Sequence, residues 1–291
     1  MMSLKIIVLA KQVPDTRNVG KNAMKADGTV NRAALPAIFN PEDLNALEQA
    51  LRLKDRFPGS VITLLTMGPG RAAEVIREGL YRGADGGVLL TDRAFAGADT
   101  LATSYALACA IRKIKEFDLI IAGRQAIDGD TAQVGPQVAE KLSLPQVTYV
   151  EEIISLTGNK IILKRRLERG VETVEAPLPC VLTVNSSAPD CRPRNARAIM
   201  KFKHARTMTE RQNASEDYIL LYHERPYLDI PEWSVTDIKT DISQLGLSGS
   251  PTKVKKIENI VFQAKETKRI TSDDGSINAF MKELIDNHTL G

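Results

Sequence analysis

Apolar runs alternate with helical apolar faces along the first half of the chain. Leu4–Ala10 is a continuous apolar stretch and predicts a buried strand. At Asn40-Pro41-Glu42-Asp43 stand an N-cap residue, a proline at the first helical position and acids in the first turn. Leu44, Leu47, Ala50 and Leu51 then follow on one helix face. Ser60–Thr66 predicts a second strand, ended by Met67-Gly68-Pro69-Gly70. The alternation continues with a helix over 72–82, a strand over 87–90, a helix over 99–115, a strand over 117–122, a helix over 135–142 and a strand over 146–150. Such an order predicts an α/β fold: a parallel-core sheet with helices on both faces.

Beyond Val150 the period shortens. Residues 153–176 alternate apolar and polar positions around Gly158-Asn159, which predicts antiparallel strands added to the sheet, and Pro179–Val184 predicts a further strand. From about Ala205 compact periodicity is lost. Trp233, Ile238, Leu245, Ile257 and Phe280 are scattered along an extended C-terminal arm that ends in a helix over 276–287. The expected division is an α/β domain over 1–204 and a partner-wrapping arm over 205–291, the arm having too little core to fold alone.

In parallel sheets ligands bind beyond the carboxyl ends of the strands, where strand order reverses. The unusual loops all fall there: KQVPDT, MGPG, DRAFAGADT and GRQAIDGD each follow a predicted strand. The last opens a stretch, 122–136, in which Gly123, Ala126, Gly129, Ala132 and Gly135 keep side chains small. Small side chains let a ligand approach the main chain, and a helix start leaves amides that suit a phosphate. Asp130 and Gln133 have the spacing of a capping box. Pro136 argues that the regular helix begins only near Gly135. Asp128 and Asp130 would repel a phosphate, so they are expected to hold loop amides or ribose hydroxyls while Arg124 offsets charge. Upstream, Asp99 can cap a helix on which Thr100, Thr103 and Ser104 present hydroxyls.

Composition removes other classes. A formal charge of +3 with no basic stripe argues against nucleic acid, and no apolar run reaches the roughly 18 residues of a membrane span. The basic clusters Lys164-Arg165-Arg166 and Lys253-Lys255-Lys256 read as solvated faces. Three cysteines without CxxC spacing fit reduced thiols and a cytoplasmic location. Neither GxxxxGK[ST], GxGxxG nor GxSxG occurs, and His204, His223 and His288 lie outside the loops. A pocket without acid–base machinery leaves any chemistry to a cofactor.

Five stretches resemble the β subunit of electron-transfer flavoprotein: KQVPDT at 11–16, NPEDLNALEQALRLK at 40–54, GRQAIDGDTAQVGP at 123–136, LPQVTYV at 144–150 and IMK at 199–201. Together they cover most of the chain, and AIDGDTAQVGP is the most specific. The resemblance implies an adenine-nucleotide α-hydrolase-like sheet and an α-subunit partner that carries a further FAD. It also implies cofactor contacts at Leu9, Asn40, Pro41, Glu42, Asp43 and Met67, and along Gly123, Arg124, Gln125, Ala126, Ile127, Asp128, Gly129, Asp130, Thr131, Ala132, Gln133 and Val134.

Family members hold either structural AMP or, in electron-bifurcating members, a second FAD. The AMP form has Asn and Thr where this chain has Ala132 and Val134, and DRAFAGADTLATS and GLSGSPTKVKKI resemble the bifurcating branch. In that branch the first of these, with Thr100 and Thr103, lies along the FAD pyrophosphate and ribityl chain. FAD is therefore expected in preference to AMP. The implied partners are an acyl-CoA or other flavin dehydrogenase and, as low-potential acceptor, ferredoxin or flavodoxin. The family's docking leucine is matched by Ala196, too small to fill a hydrophobic pocket. Two other readings compete: a structural AMP-binding subunit without chemistry of its own, and a stand-alone ATP-hydrolysing or nucleotide-sensing protein of the same fold.

Overall fold

The computed structural model describes residues 2–15, 36–212, 219–252 and 267–287; Thr16, Lys253, Lys255, Lys256, Ile257 and His288 lie outside them. The first half contains β1 (Lys5–Leu9), β2 (Gln12–Pro14), β3 (Ala37–Phe39), α1 (Pro41–Arg56), β4 (Val61–Met67), α2 (Ala73–Arg82), β5 (Gly86–Leu90), α3 (Thr100–Ile114), β6 (Leu119–Gly123) and α4 (Val134–Leu142). There follow β7 (Gln146–Thr157), β8 (Lys160–Leu167), β9 (Gly170–Pro177), β10 (Cys180–Val184), α5 (Ala196–Phe202), β11 (Arg206–Thr207), α6 (Met208–Gln212), α7 (Ile219–Glu224), β12 (Asp229–Ile230), β13 (Glu232–Trp233) and α8 (Asp274–Asp286).

Among the described residues the main sheet has nine strands in the order β13-β5-β4-β1-β6-β10-β7-β8-β9. All pairs from β13 to β7 are parallel, and β7-β8 and β8-β9 are antiparallel. β1 therefore sits centrally. The chain first builds outward on one side through β4 and β5, then returns to place β6 on the other. That reversal opens a crevice between the carboxyl ends of β1 and β6.

The strands are apolar on both faces because both faces are covered. Ile6 and Val8 of β1 join the core under α1 and α2, whereas Ile7 and Leu9 join the core under α3 and α4. β7 runs on to Thr157 instead of ending near Val150, because β10 pairs with its first half and β8 with its second.

The stretch beyond 204 differs from the expected arm. β13 pairs in parallel with the edge strand β5, Glu232 opposite Leu89 and Trp233 opposite Leu90. Tyr222, Leu228 and Ile230 are buried in the core on the α1/α2 face, and Ile238 and Leu245 in the core on the α3/α4 face, with Trp233 packed beside them. Short apolar clusters without a helical or strand period were enough to pack both flanks of one edge. Two compact units result, Met1–Lys255 and Lys256–Gly291. In the second, Asp273 caps α8 by accepting from Ser276 N at 2.9 Å, and Ile277, Met281 and Ile285 are exposed at helical spacing.

Burying each of those large apolar side chains is worth about 1.5–3 kcal/mol, so together they rival the roughly 5–15 kcal/mol stability of a whole domain. A chain ending at Lys255 should melt cooperatively at the midpoint of the full-length protein. One ending at His204 should be insoluble or melt more than about 10 °C lower. Differential scanning fluorimetry of the two truncations checks this.

Candidate functional site

The crevice between β1 and β6 is closed at its base by one carboxylate. Asp43, in the first turn of α1, is 7% exposed. Its Oδ2 accepts from Lys11 N, just past β1, at 2.8 Å, and its Oδ1 accepts from Gly123 N, at the end of β6, at 3.0 Å. Burial pushes this carboxyl up to about 7, against the pull of those amides, the Asn40 side chain and the Lys11 charge. The approach is close: a Cβ on Gly123 would lie 2.4 Å from Asp43 Oδ1 and 2.7 Å from the Glu42 carbonyl carbon.

The neighbours of Asp43 grip the loop after β6 in the same way. Glu42 accepts from Gln125 N at 2.9 Å and from the Arg124 guanidinium at 3.1 Å. Asn40, fully buried, donates to the Gln125 carbonyl at 2.9 Å and accepts from Ile127 N at 3.1 Å, so it clasps the main chain on both sides of Ala126. Pro41 takes the first helical position, and Asn40 stands before it without capping α1. The acids of this helix start are thus spent on the protein's own amides.

Past Ile127 the main chain is no longer held by α1. Asp128 pairs with Lys11 Nζ at 2.7 Å, and Asp130 accepts from Gln125 Nε2 at 2.9 Å. The expected capping box between Asp130 and Gln133 is not formed. Asp130 (φ 48°) and Ala132 (φ 53°) are left-handed, which turns the chain out of helical register, and α4 begins only at Val134 with no side-chain cap. Among the described residues nothing accepts from the main-chain N–H groups of Thr131, Ala132, Gln133, Val134 or Gly135. A Cβ on Gly129 would meet no atom within 4 Å. Five successive amides are thus left among the described residues without an acceptor, and free main-chain N–H groups of this kind suit an anion.

Asp99 does cap α3, accepting from Leu101 N and Ala102 N at 2.9 and 3.0 Å. Those amides are therefore already engaged, and α3 offers hydroxyls instead. Thr100 Oγ1 donates to Gln133 Oε1 at 2.8 Å and joins the two helix starts; Thr103 stands one turn on and is half-buried. Leu9 is buried at the crevice and Met67 packs beside it on the α3/α4 face. The expected residues thus gather along one edge of the sheet, split between braces (Asn40, Glu42, Asp43 and the Thr100 and Gln133 side chains) and a stretch with open space beside Gly129 and unengaged amides at 131–135.

Two residues of this edge were not anticipated. Lys11 lies in KQVPDT, but nothing local marks its pairing with Asp128. Tyr149 has φ 60°, where the β10–β7 register slips between Leu182/Val147 and Val184/Val150. The bulge turns its ring toward Arg124, whose Cζ lies 5.8 Å from the ring centroid. Among the described residues no group of His, Cys, Asp and Glu could hold a metal, and no helix is long and apolar enough to cross a membrane.

The chain matches the description "Electron transfer flavoprotein domain" over residues 27–211. It is similar to the caffeyl-CoA reductase-Etf complex subunit CarD of Acetobacterium woodii, 45% identical over 254 residues, covering 86% of each chain. It is likewise similar to the electron transfer flavoprotein subunit beta of Clostridium acetobutylicum, 45% identical over 253 residues with 87% of each chain covered. Protein FixA of Azotobacter vinelandii is 41% identical over 273 residues, covering 92% of this chain and 88% of its own.

Two outcomes follow for the base of the crevice. Gly123→Ala forces Cβ onto backbone that cannot move cheaply, so it should cost at least about 1–3 kcal/mol in denaturant unfolding. Asp43 binds its proton more tightly folded than unfolded. Its contribution to stability is therefore fully present below the unfolded carboxylate range near pH 4 and is lost as pH rises through about 7. Urea titrations across pH 4–8 should show a decline that Asp43→Asn flattens, whatever offset the amide itself introduces.

Proposed function

The chain belongs to the electron transfer flavoprotein family as a β-type electron-transfer subunit, and on that premise we propose that its carboxyl-edge crevice holds the adenylate part of an FAD. The supporting observation is the run of main-chain amides from Thr131 to Gly135, from which nothing among the described residues accepts. Ala132 and Val134 leave main-chain amides as the main donors to a phosphate, which accommodates a diphosphate as readily as a monophosphate. The charge of Asp128 is offset by Lys11, and Asp130 accepts from Gln125 Nε2.

Bound there, FAD would supply hydride acceptance from NADH and the division of the electron pair between two one-electron carriers. The chain's part is to bind and orient. Asn40, Glu42 and Asp43 fix the loop, Thr100 and Thr103 offer hydroxyls beside it, and the 131–135 amides hold the phosphates. Electrons would then pass through a further FAD on an α subunit to an acyl-CoA or other flavin dehydrogenase, and to ferredoxin or flavodoxin. The name of the Acetobacterium relative places that protein in a reductase–Etf complex, which favours an assembly of this kind. Ala196 opens α5 with Met200 exposed one turn on, so a dehydrogenase would dock there without the leucine anchor. The exposed face of α8 suits the α subunit.

Nucleotide content of the purified αβ complex tests the reading. Two FAD per heterodimer are expected; one FAD with stoichiometric AMP would replace it with a structural nucleotide. Ala132→Asn with Val134→Thr should shift occupancy from FAD toward AMP, and the left-handed backbone at 132 accepts Asn readily. Gly129→Val should weaken either ligand at least about tenfold, the worth of one charge-assisted hydrogen bond, with little change in melting because its side chain enters open space. Deleting 256–291 should abolish co-purification with the α subunit; unchanged co-elution on size exclusion would remove the arm from that role.

A further inference from the structure

Two segments far apart in sequence meet at the start of α3. Ser250, 4% exposed, accepts from Asp99 N at 2.8 Å and donates to the Gly246 carbonyl at 2.6 Å. Asp99 Oδ1 caps the helix, while its Oδ2 accepts from Thr252 N at 3.1 Å. Gly246 has φ 50°, and a Cβ there would lie 2.2 Å from the Ala94 carbonyl oxygen and 2.8 Å from that of Ala96. Leu245 is buried in the core on this face, and Gly249 N donates to its carbonyl at 2.8 Å. Residues 246–252 are thus a wall seated against 94–99.

The same helix start reaches the loop after β6. Thr100 Oγ1 donates to Gln133, Gln137 Nε2 donates to Thr100 Oγ1 at 3.4 Å, and Ser104 Oγ lies 3.1 Å from Gln137 Oε1. Gln133 belongs to the run of unpaired amides. A continuous set of contacts therefore joins Ser250 and Thr252, through Asp99 and Thr100, to the main chain that would face a phosphate.

We propose that Asp99 is a positioning residue of the nucleotide site: one oxygen caps α3, the other fixes α3 to the 246–252 wall, and the pair sets where the 131–135 amides stand. The proposal rests on the nucleotide reading above. It assigns Asp99 no contact with the ligand, since its carboxylate would repel a phosphate and the amides it caps are no longer available.

Asp99→Asn separates the two tasks. Asparagine caps as well as aspartate, so Oδ1 can still serve α3, but Nδ2 turns donors toward Thr252 N–H. The full chain, co-purified with its α partner and stripped of nucleotide, is titrated calorimetrically with AMP and with adenosine and melted in parallel. The variant should melt within about 2 °C of wild type, lose about tenfold in AMP affinity and bind adenosine unchanged. Ser250→Ala should show the same phosphate-selective loss. Unchanged AMP affinity, or an equal loss for both ligands, would overturn the positioning role. Wild type that binds neither ligand would sink the nucleotide reading and the proposal with it, whereas wild type that prefers AMP beside an equally selective variant would sink the proposal alone.

Discussion

Everything at this edge depends on a buried carboxylate that two parallel strands share. β1 and β6 end side by side where the strand order reverses, and each presents a main-chain N–H that no further strand can take. Asp43 accepts both. Burying it is unfavourable, and the hydrogen bonds offset only part of that, which is why its proton affinity stays high. The return is geometric. With Asp43 fixed, the first turn of α1 is fixed, so Glu42 and Asn40 reach the next amides of the loop, and five farther along are left without an acceptor among the described residues.

The charges near those five amides are largely balanced. Arg124 is held by Glu42, Lys11 by Asp128, and Asp130 takes an amide donor from Gln125. On the proposed reading, binding here would rest on main-chain dipoles and the space beside Gly129 more than on net charge. The loop's three charged side chains are each already engaged by a neighbour.

Much of this was legible in the sequence, for identifiable reasons. The apolar runs of the buried strands and the helix starts at Asn40-Pro41 and Asp99 carry strong local signals, and together they place every unusual loop at one edge. Pro136 correctly delayed α4. The capping box at Asp130 failed because Asp130 and Ala132 take left-handed backbone, which an aspartate permits but does not dictate and an alanine does not signal. The use of Asn40 across 85 residues of chain, on Gln125, is tertiary and equally invisible. Beyond residue 204 the error had another source: Trp233, Ile238 and Leu245 lack any period, yet irregular segments bury apolar side chains well when a ready-made sheet edge receives them.

That last pairing bears on how the molecule comes to exist. β10 enters the middle of the sheet after β7, β8 and β9 have been made, and β13 seals β5 more than a hundred residues after β5 itself ends. A ribosome releasing this chain from its amino end therefore exposes β5 as an open, apolar strand edge while about half of the chain is made. Parallel sheets with distant pairings fold slowly and are vulnerable to association meanwhile. The nascent chain should thus need protection by chaperones until Trp233 clears the exit tunnel, and slow codons placed before that point would lengthen the hazard.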